Sequence, residues 1–182
     1  MVEEVSLPWQ LDLIKRATRI HFGMIFGPSM GELYDQHADE LTSYARHFVA
    51  ESAQIAKEDM IAGLELEGRI YRPLGAVLAD YDALICPTFA IPALPAEYEV
   101  ADRVAVNGTP CADWLDVMMT VPFNIASRCP VLSVPSGLSR DGVPTGLSIV
   151  GKTFDDVTAF RIAAAHEERM PWLDMPRRRP AL

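Results

Sequence analysis

The side chains best suited to nucleophilic or acid–base chemistry are Cys86, Cys111 and Cys129, the imidazoles of His21, His37, His47 and His166, and the amines of Lys15, Lys57 and Lys152. A cysteine becomes a nucleophile when a nearby base or cation holds it as thiolate, and a serine hydroxyl needs an adjacent base for the same purpose. The spacing assembles neither arrangement. The thiols are odd in number and lack metal-ligand spacing, which reads as reduced cysteines of a cytoplasmic protein. Cys86 sits inside an apolar run and reads as a small core residue. His166-Glu167 is followed by Met170 where a zincin helix would place its second histidine, and His37-Ala38-Asp39 is a lone cluster, so no metal and no cofactor is expected. No Gly-Gly-Ser or Ser-Ser dipeptide occurs.

The more informative pattern lies in three stretches. The first is Asp80-Tyr81-Asp82-Ala83-Leu84-Ile85-Cys86-Pro87-Thr88. The second is Thr120-Val121-Pro122-Phe123-Asn124, leading to Cys129-Pro130-Val131-Leu132-Ser133-Val134-Pro135-Ser136-Gly137. The third runs from Asp141-Gly142-Val143-Pro144-Thr145-Gly146 to Leu147-Ser148-Ile149-Val150-Gly151. The glycines at 137, 142, 146 and 151 lack the strand–Gly-x-Gly-x-x-Gly–helix context of a phosphate cradle and read as turns or close backbone approaches.

Helical periodicity predicts an apolar face over 9–24 (Trp9, Leu13, Ile14, Ala17, Ile20, Met24), with Lys15, Arg16 and Arg19 elsewhere and Gly23 and Gly27-Pro28 marking its end. A second helix is expected over 38–50. A third begins near Lys57, with Glu58 and Asp59 suiting its first turn, and Pro73 should kink or restart it because proline lacks the amide donor. Residues 83–86 read as a buried strand. Residues 89–111 read as a long loop and 112–119 as a short helix, while 131–134 and 147–150 read as strands joined across Asp141-Gly142. Asn124 falls near a strand start, and a last helix follows, capped by Thr153 or Asp155. Helices followed by strands imply an α/β fold. Three legible strands leave two open edges, so another polypeptide segment or a second copy should complete the sheet.

Residues 38–170 resemble the amidase-signature enzymes, on the Asp80-to-Thr88 strand and on the Thr120-to-Gly151 run with the Asp155-Asp156 and Ala-rich helix after it. The resemblance implies the C-terminal part of that family's α/β/α fold, with a partial mixed sheet and covering helices. It divides the chain into an N-terminal helical segment (1–36), an amidase-signature region (37–170) and a tail (171–182). It also implies amide C–N hydrolysis or, as in glutamyl-tRNA(Gln) amidotransferase A subunits, ammonia transfer, by a serine nucleophile, a second serine and a neutral lysine. The family draws those groups from a Gly-Gly-Ser-Ser-type loop and a strand-end lysine in its N-terminal half. No triad residue can therefore be assigned to this chain, and it is expected to be inactive alone. What carries over is a substrate-facing wall of Asp116, Thr120 and Asn124. Asp116 stands one residue off the family's acid position, and Asn124-Ile125-Ala126-Ser127-Arg128-Cys129-Pro130 has serine for the family's glycine and one residue more.

Bulk properties agree with a globular domain: 182 residues, 49% hydrophobic, 23% charged. The net charge of −9 disfavours direct nucleic-acid binding. Arg177-Arg178-Arg179 reads as a solvated tail. No apolar run is long enough for a membrane span and no secretory leader is visible. The expected partners are a missing amidase half or a second copy at the sheet edge, with a small amide as substrate of the complete enzyme. Two other readings stand beside this one. One is a non-catalytic interaction module derived from an amidase; the other is an independent enzyme built on Cys129 or Cys111.

Overall fold

The computed structural model describes residues 1–99, 102–111 and 114–172. The Arg177–Arg179 cluster, most of the tail and residues 112 and 113 of the expected short helix lie outside the described residues. Three helices come first: α1 (Leu11–His37), α2 (Ser43–Ser52) and α3 (Lys57–Asp80). Strand β1 (Ala83–Pro87) follows, then a hairpin of β2 (Ala105–Val106) and β3 (Thr109–Pro110). A 3-10 turn (Trp114–Val117) leads into α4 (Val121–Ala126), β4 (Val131–Leu138), β5 (Pro144–Gly151) and α5 (Asp156–Arg169).

The main sheet has the order β1-β5-β4, with both pairings antiparallel. Leu84 and Val131 both face Val150, and Cys86 and Ser133 both face Ser148. Because side chains alternate along a strand, β5 feeds two cores. Ile149 packs with Ala159 and Ala163 of α5 and with Leu132 and Val134. Val150 packs on the opposite face with Leu74 and Leu78 of α3 and Phe123 of α4, joined by Leu84 and Cys86. A third cluster, of Ala17, Ile20, Leu66, Ile70, Leu115, Val121, Ile125 and Ala126, binds α1, α3 and α4 together. This is the expected α/β fold with a partial sheet.

Several local expectations are corrected. α1 runs through Gly23 and Gly27-Pro28 instead of ending there. Those glycines are contact points: a Cβ on Gly23 would lie 2.7 Å from Ile55 Cγ1, and one on Gly27 2.8 Å from Ser52 Cβ. They let the end of α2 and the turn before α3 press onto α1, and that packing outweighs the weak local preference to stop. α2 begins at Ser43 because the Thr42 side chain accepts from the Ala45 amide at 3.2 Å. α3 is one helix of 24 residues with Pro73 inside it. Its start is held by Asp59, whose carboxylate accepts from the Ala56 amide.

The expected loop over 89–111 contains the β2–β3 hairpin, turned by Asn107 (φ 51°) and Gly108 (φ 80°). The Asn-Gly pair is a type I′ hairpin signal. Asn124 lies within α4 and not near a strand start. For the last helix the structure selects Asp155, whose carboxylate accepts from the Thr158 amide; hydrogen bonding from the Thr158 side chain, and then from this amide, holds the Asp155 carboxyl below its ordinary range. β1 is only partly buried, since Ile85 is 43% exposed.

Candidate functional site

The three candidate wall residues lie within one short stretch. Asp116 belongs to the 3-10 turn, Thr120 immediately precedes α4, and Asn124 is on α4. The Thr120 carbonyl accepts from the amides of Phe123 and Asn124, both at 3.2 Å, so Thr120 and Asn124 are one helical turn apart. Thr120 is half-buried and Asn124 exposed. Hydrophobic burial of Val121, Pro122, Phe123, Ile125 and Ala126 fixes the orientation of this helix and leaves Asn124 on its outer side.

Asp116 differs from the other two in its surroundings. Its carboxylate makes an ion pair with the Lys15 ammonium of α1, and both side chains are mostly buried, at 9% and 12% exposed. The sequence places Lys15 on a polar face; the structure turns it inward. Its neighbours turn inward with it, since Ile14 packs against the core and Thr18 is fully buried one turn on. Asp116 also lines a cavity of about 360 Å³, walled by Trp9, Leu11, Ile14, Leu84, Met118 and Phe123 among other apolar groups. Neither Thr120 nor Asn124 is part of that lining. Trp9 is fixed there by its indole N–H, which donates to the Ile70 carbonyl at 2.9 Å, and by edge-on packing against Phe123 at 5.7 Å.

The irregular connection from α4 to β4 has its own bracing. Ser127 takes the left-handed conformation (φ 47°) at the position where the resemblance expects glycine. Arg128, next to it, donates to the Glu67 carboxylate and lies over the Tyr71 ring at 5.8 Å. The Tyr71 hydroxyl is 2.6 Å from that of Thr153, beyond β5. α3 therefore holds both the strained turn and the segment after β5 through two adjacent helical turns.

Cys86 and Cys129 are not set up as nucleophiles. Burial pushes the Cys86 thiol up to about 11. Burial also raises Cys129, only partly offset by the Thr153 hydroxyl 3.9 Å away. Both shifts disfavour the thiolate, the opposite of what an active cysteine requires. In a Cys111→Ser/Cys129→Ser background, iodoacetamide labelling of Cys86 should therefore keep accelerating up to about pH 11 and show no plateau near 9.0. Mass spectrometry of timed aliquots measures this, and a plateau near 9.0 would contradict it. The linked stability effect has a definite sign. Above 9.0 the unfolded thiol ionises while the folded one stays protonated, so Cys86 reduces stability as pH rises from 9.0 towards about 11.

His37 and Glu40 pair with each other on the surface at 3.1 Å, and His166 contacts the Pro135 carbonyl at 2.9 Å, tying α5 to β4. No helix among the described residues is long and apolar enough to cross a membrane.

Known proteins share this fold. The profile of the family described as Amidase matches residues 27–160, well over half of the chain. This chain belongs to the amidase family. Among curated amidase relatives, the glutamyl-tRNA(Gln) amidotransferase A subunit of Brevibacillus brevis is 37% identical over 99 residues, which is 54% of this chain and 19% of that protein. The protein of the same name from Exiguobacterium sibiricum is 43% identical over 91 residues, 50% of this chain and 17% of that one. Among solved structures, a bacterial aryl acylamidase of the amidase-signature enzymes superposes with a TM-score of 0.77 at 23% identity, covering 98% of this chain and 39% of its own. The matched part of this chain thus spans about a fifth of the curated relatives. The fold it shares with the acylamidase corresponds to about two fifths of that chain.

Proposed function

We propose that this chain is the C-terminal scaffold and cavity wall of an amide C–N bond enzyme whose nucleophilic serine and lysine base reside on a separate segment of amidase sequence. The observation that carries this reading is the unfinished sheet. Among the described residues β1 and β4 each pair on one side only. Along β4, Val131, Ser133 and Pro135 are exposed in alternation, so one face of that strand has no layer over it. Unpaired strand edges and an uncovered sheet face are costly to leave in water and prone to join other chains. Two of the three lysines support the same reading: Lys15 is committed to Asp116, and Lys57 is exposed at the start of α3. A base for serine must be neutral and adjacent to the hydroxyl it serves.

In the complete enzyme Asp116 would face the substrate from the cavity wall. Thr120 and Asn124 would present their polar groups on the surface of α4 against the catalytic segment. The chemistry would be hydrolysis of a small amide or transfer of its ammonia.

The isolated chain should hydrolyse no primary amide and take no label from a serine-directed fluorophosphonate. Co-expression with an amidase N-terminal segment carrying Gly-Gly-Ser-Ser should give a co-purifying complex active on a panel of primary amides. Stoichiometric labelling of a serine in the isolated chain would overturn the proposal. A complex that forms yet stays inactive would favour the interaction-module reading instead.

A further inference from the structure

The Lys15–Asp116 pair has a consequence for what the cavity can hold. A carboxylate on the wall of an apolar pocket would ordinarily recruit a cationic or amino-bearing ligand, because its negative charge in a poorly solvated site seeks a donor. Here that charge is already met by an ammonium from α1, itself 12% exposed. A ligand ammonium would have to displace Lys15 or enter beside a neutralised acid. The remaining lining is apolar and aromatic, and it is firmly set: Trp9 is held by the Ile70 carbonyl and by Phe123, and Leu84 and Phe123 belong to the Val150 core. At about 360 Å³ the cavity lies within the range of small-molecule sites.

We infer that this cavity binds the uncharged, apolar acyl portion of a small amide and rejects amides bearing an α-ammonium group, with Lys15 as the residue that sets this preference. The inference rests on the reading of the chain as an amidase wall and adds the substrate class. Lys15 acts through Asp116 and is a specificity-determining residue, not a catalytic one.

The test compares hexanamide with 2-aminohexanamide, which share a carbon chain and differ in one ammonium group, at a pH where the amine is charged. Glutamine serves as a third probe. Binding is followed on the full chain by methyl NMR of Ile14, Leu84 and Met118 and by Trp9 fluorescence. Hexanamide should shift these signals at about tenfold lower concentration than 2-aminohexanamide or glutamine, the scale of one charge-assisted hydrogen bond. Lys15→Gln keeps a donor beside Asp116 while removing the positive charge, and it should bring 2-aminohexanamide level with hexanamide or ahead of it. The charge-free Lys15→Met/Asp116→Leu variant should retain the preference for hexanamide.

Equal binding of the three probes by the wild-type chain, or binding of none, would overturn the inference. So would unchanged discrimination in Lys15→Gln, or new acceptance of the amine by the charge-free variant. Loss of the hexanamide response once the catalytic segment is bound would identify the cavity as a protein interface and overturn it too. Binding is read without turnover, so failure here is distinguishable from failure of the complementation assay.

Discussion

Lys15→Met should destabilise the chain by about 3–5 kcal/mol, the range for removing one partner of a buried ion pair. The reason is asymmetric. Asp116, in the 3-10 turn before α4, remains mostly buried, and its carboxylate loses the cation that offset its desolvation. Lys15→Met/Asp116→Leu removes both charges and fills the same space with carbon, so most of that loss should be recovered. Lys57→Met, at an exposed position, should change stability by no more than about 0.5 kcal/mol. Urea denaturation followed by circular dichroism separates the three variants. If Lys15→Met and Lys57→Met unfold at the same urea concentration, the ion pair contributes nothing to the fold.

Leu74→Ala should cost about 2–5 kcal/mol, comparable with a large part of a domain's total stability. Leu74 is fully buried and packs between Leu78, Phe123 and Val150, where α3, α4 and β5 meet. Three elements converge on it, and none can move inward without losing contacts elsewhere, so the cavity would close only in part. Ile61→Ala, at 66% exposure on the same helix, removes a similar side chain from solvent and should change the midpoint little. Equal effects from the two substitutions would contradict the assigned core.

How much of this was legible in the sequence depends on the range of the forces involved. Periodicity located α1, α3, β1, β4 and β5, because burial of one face imposes it residue by residue. The three-strand sheet with open edges followed from the same pattern. Helix ends were harder to place. Gly23 and Gly27 carry the local marks of a helix stop, yet their role depends on Ile55 and Ser52, residues far along the chain that press against them. The β2–β3 hairpin was announced by Asn107-Gly108, a local signal overshadowed by the prolines around it.

At the candidate site, the motif singles out the segment 116–124, but it does not distinguish the surroundings of the three residues within it. Asp116 stands apart from Thr120 and Asn124 because Lys15, a hundred and one positions earlier, folds against it. No local pattern encodes that pairing.

α3, unbroken through Pro73, extends about 36 Å at the ordinary helical rise. Its middle anchors one hydrophobic cluster through Leu66 and Ile70, its C-terminal part another through Leu74 and Leu78, and Trp9 touches both. Neither cluster can loosen without releasing this shared beam, so the helical layer and the sheet should melt together in a single cooperative step.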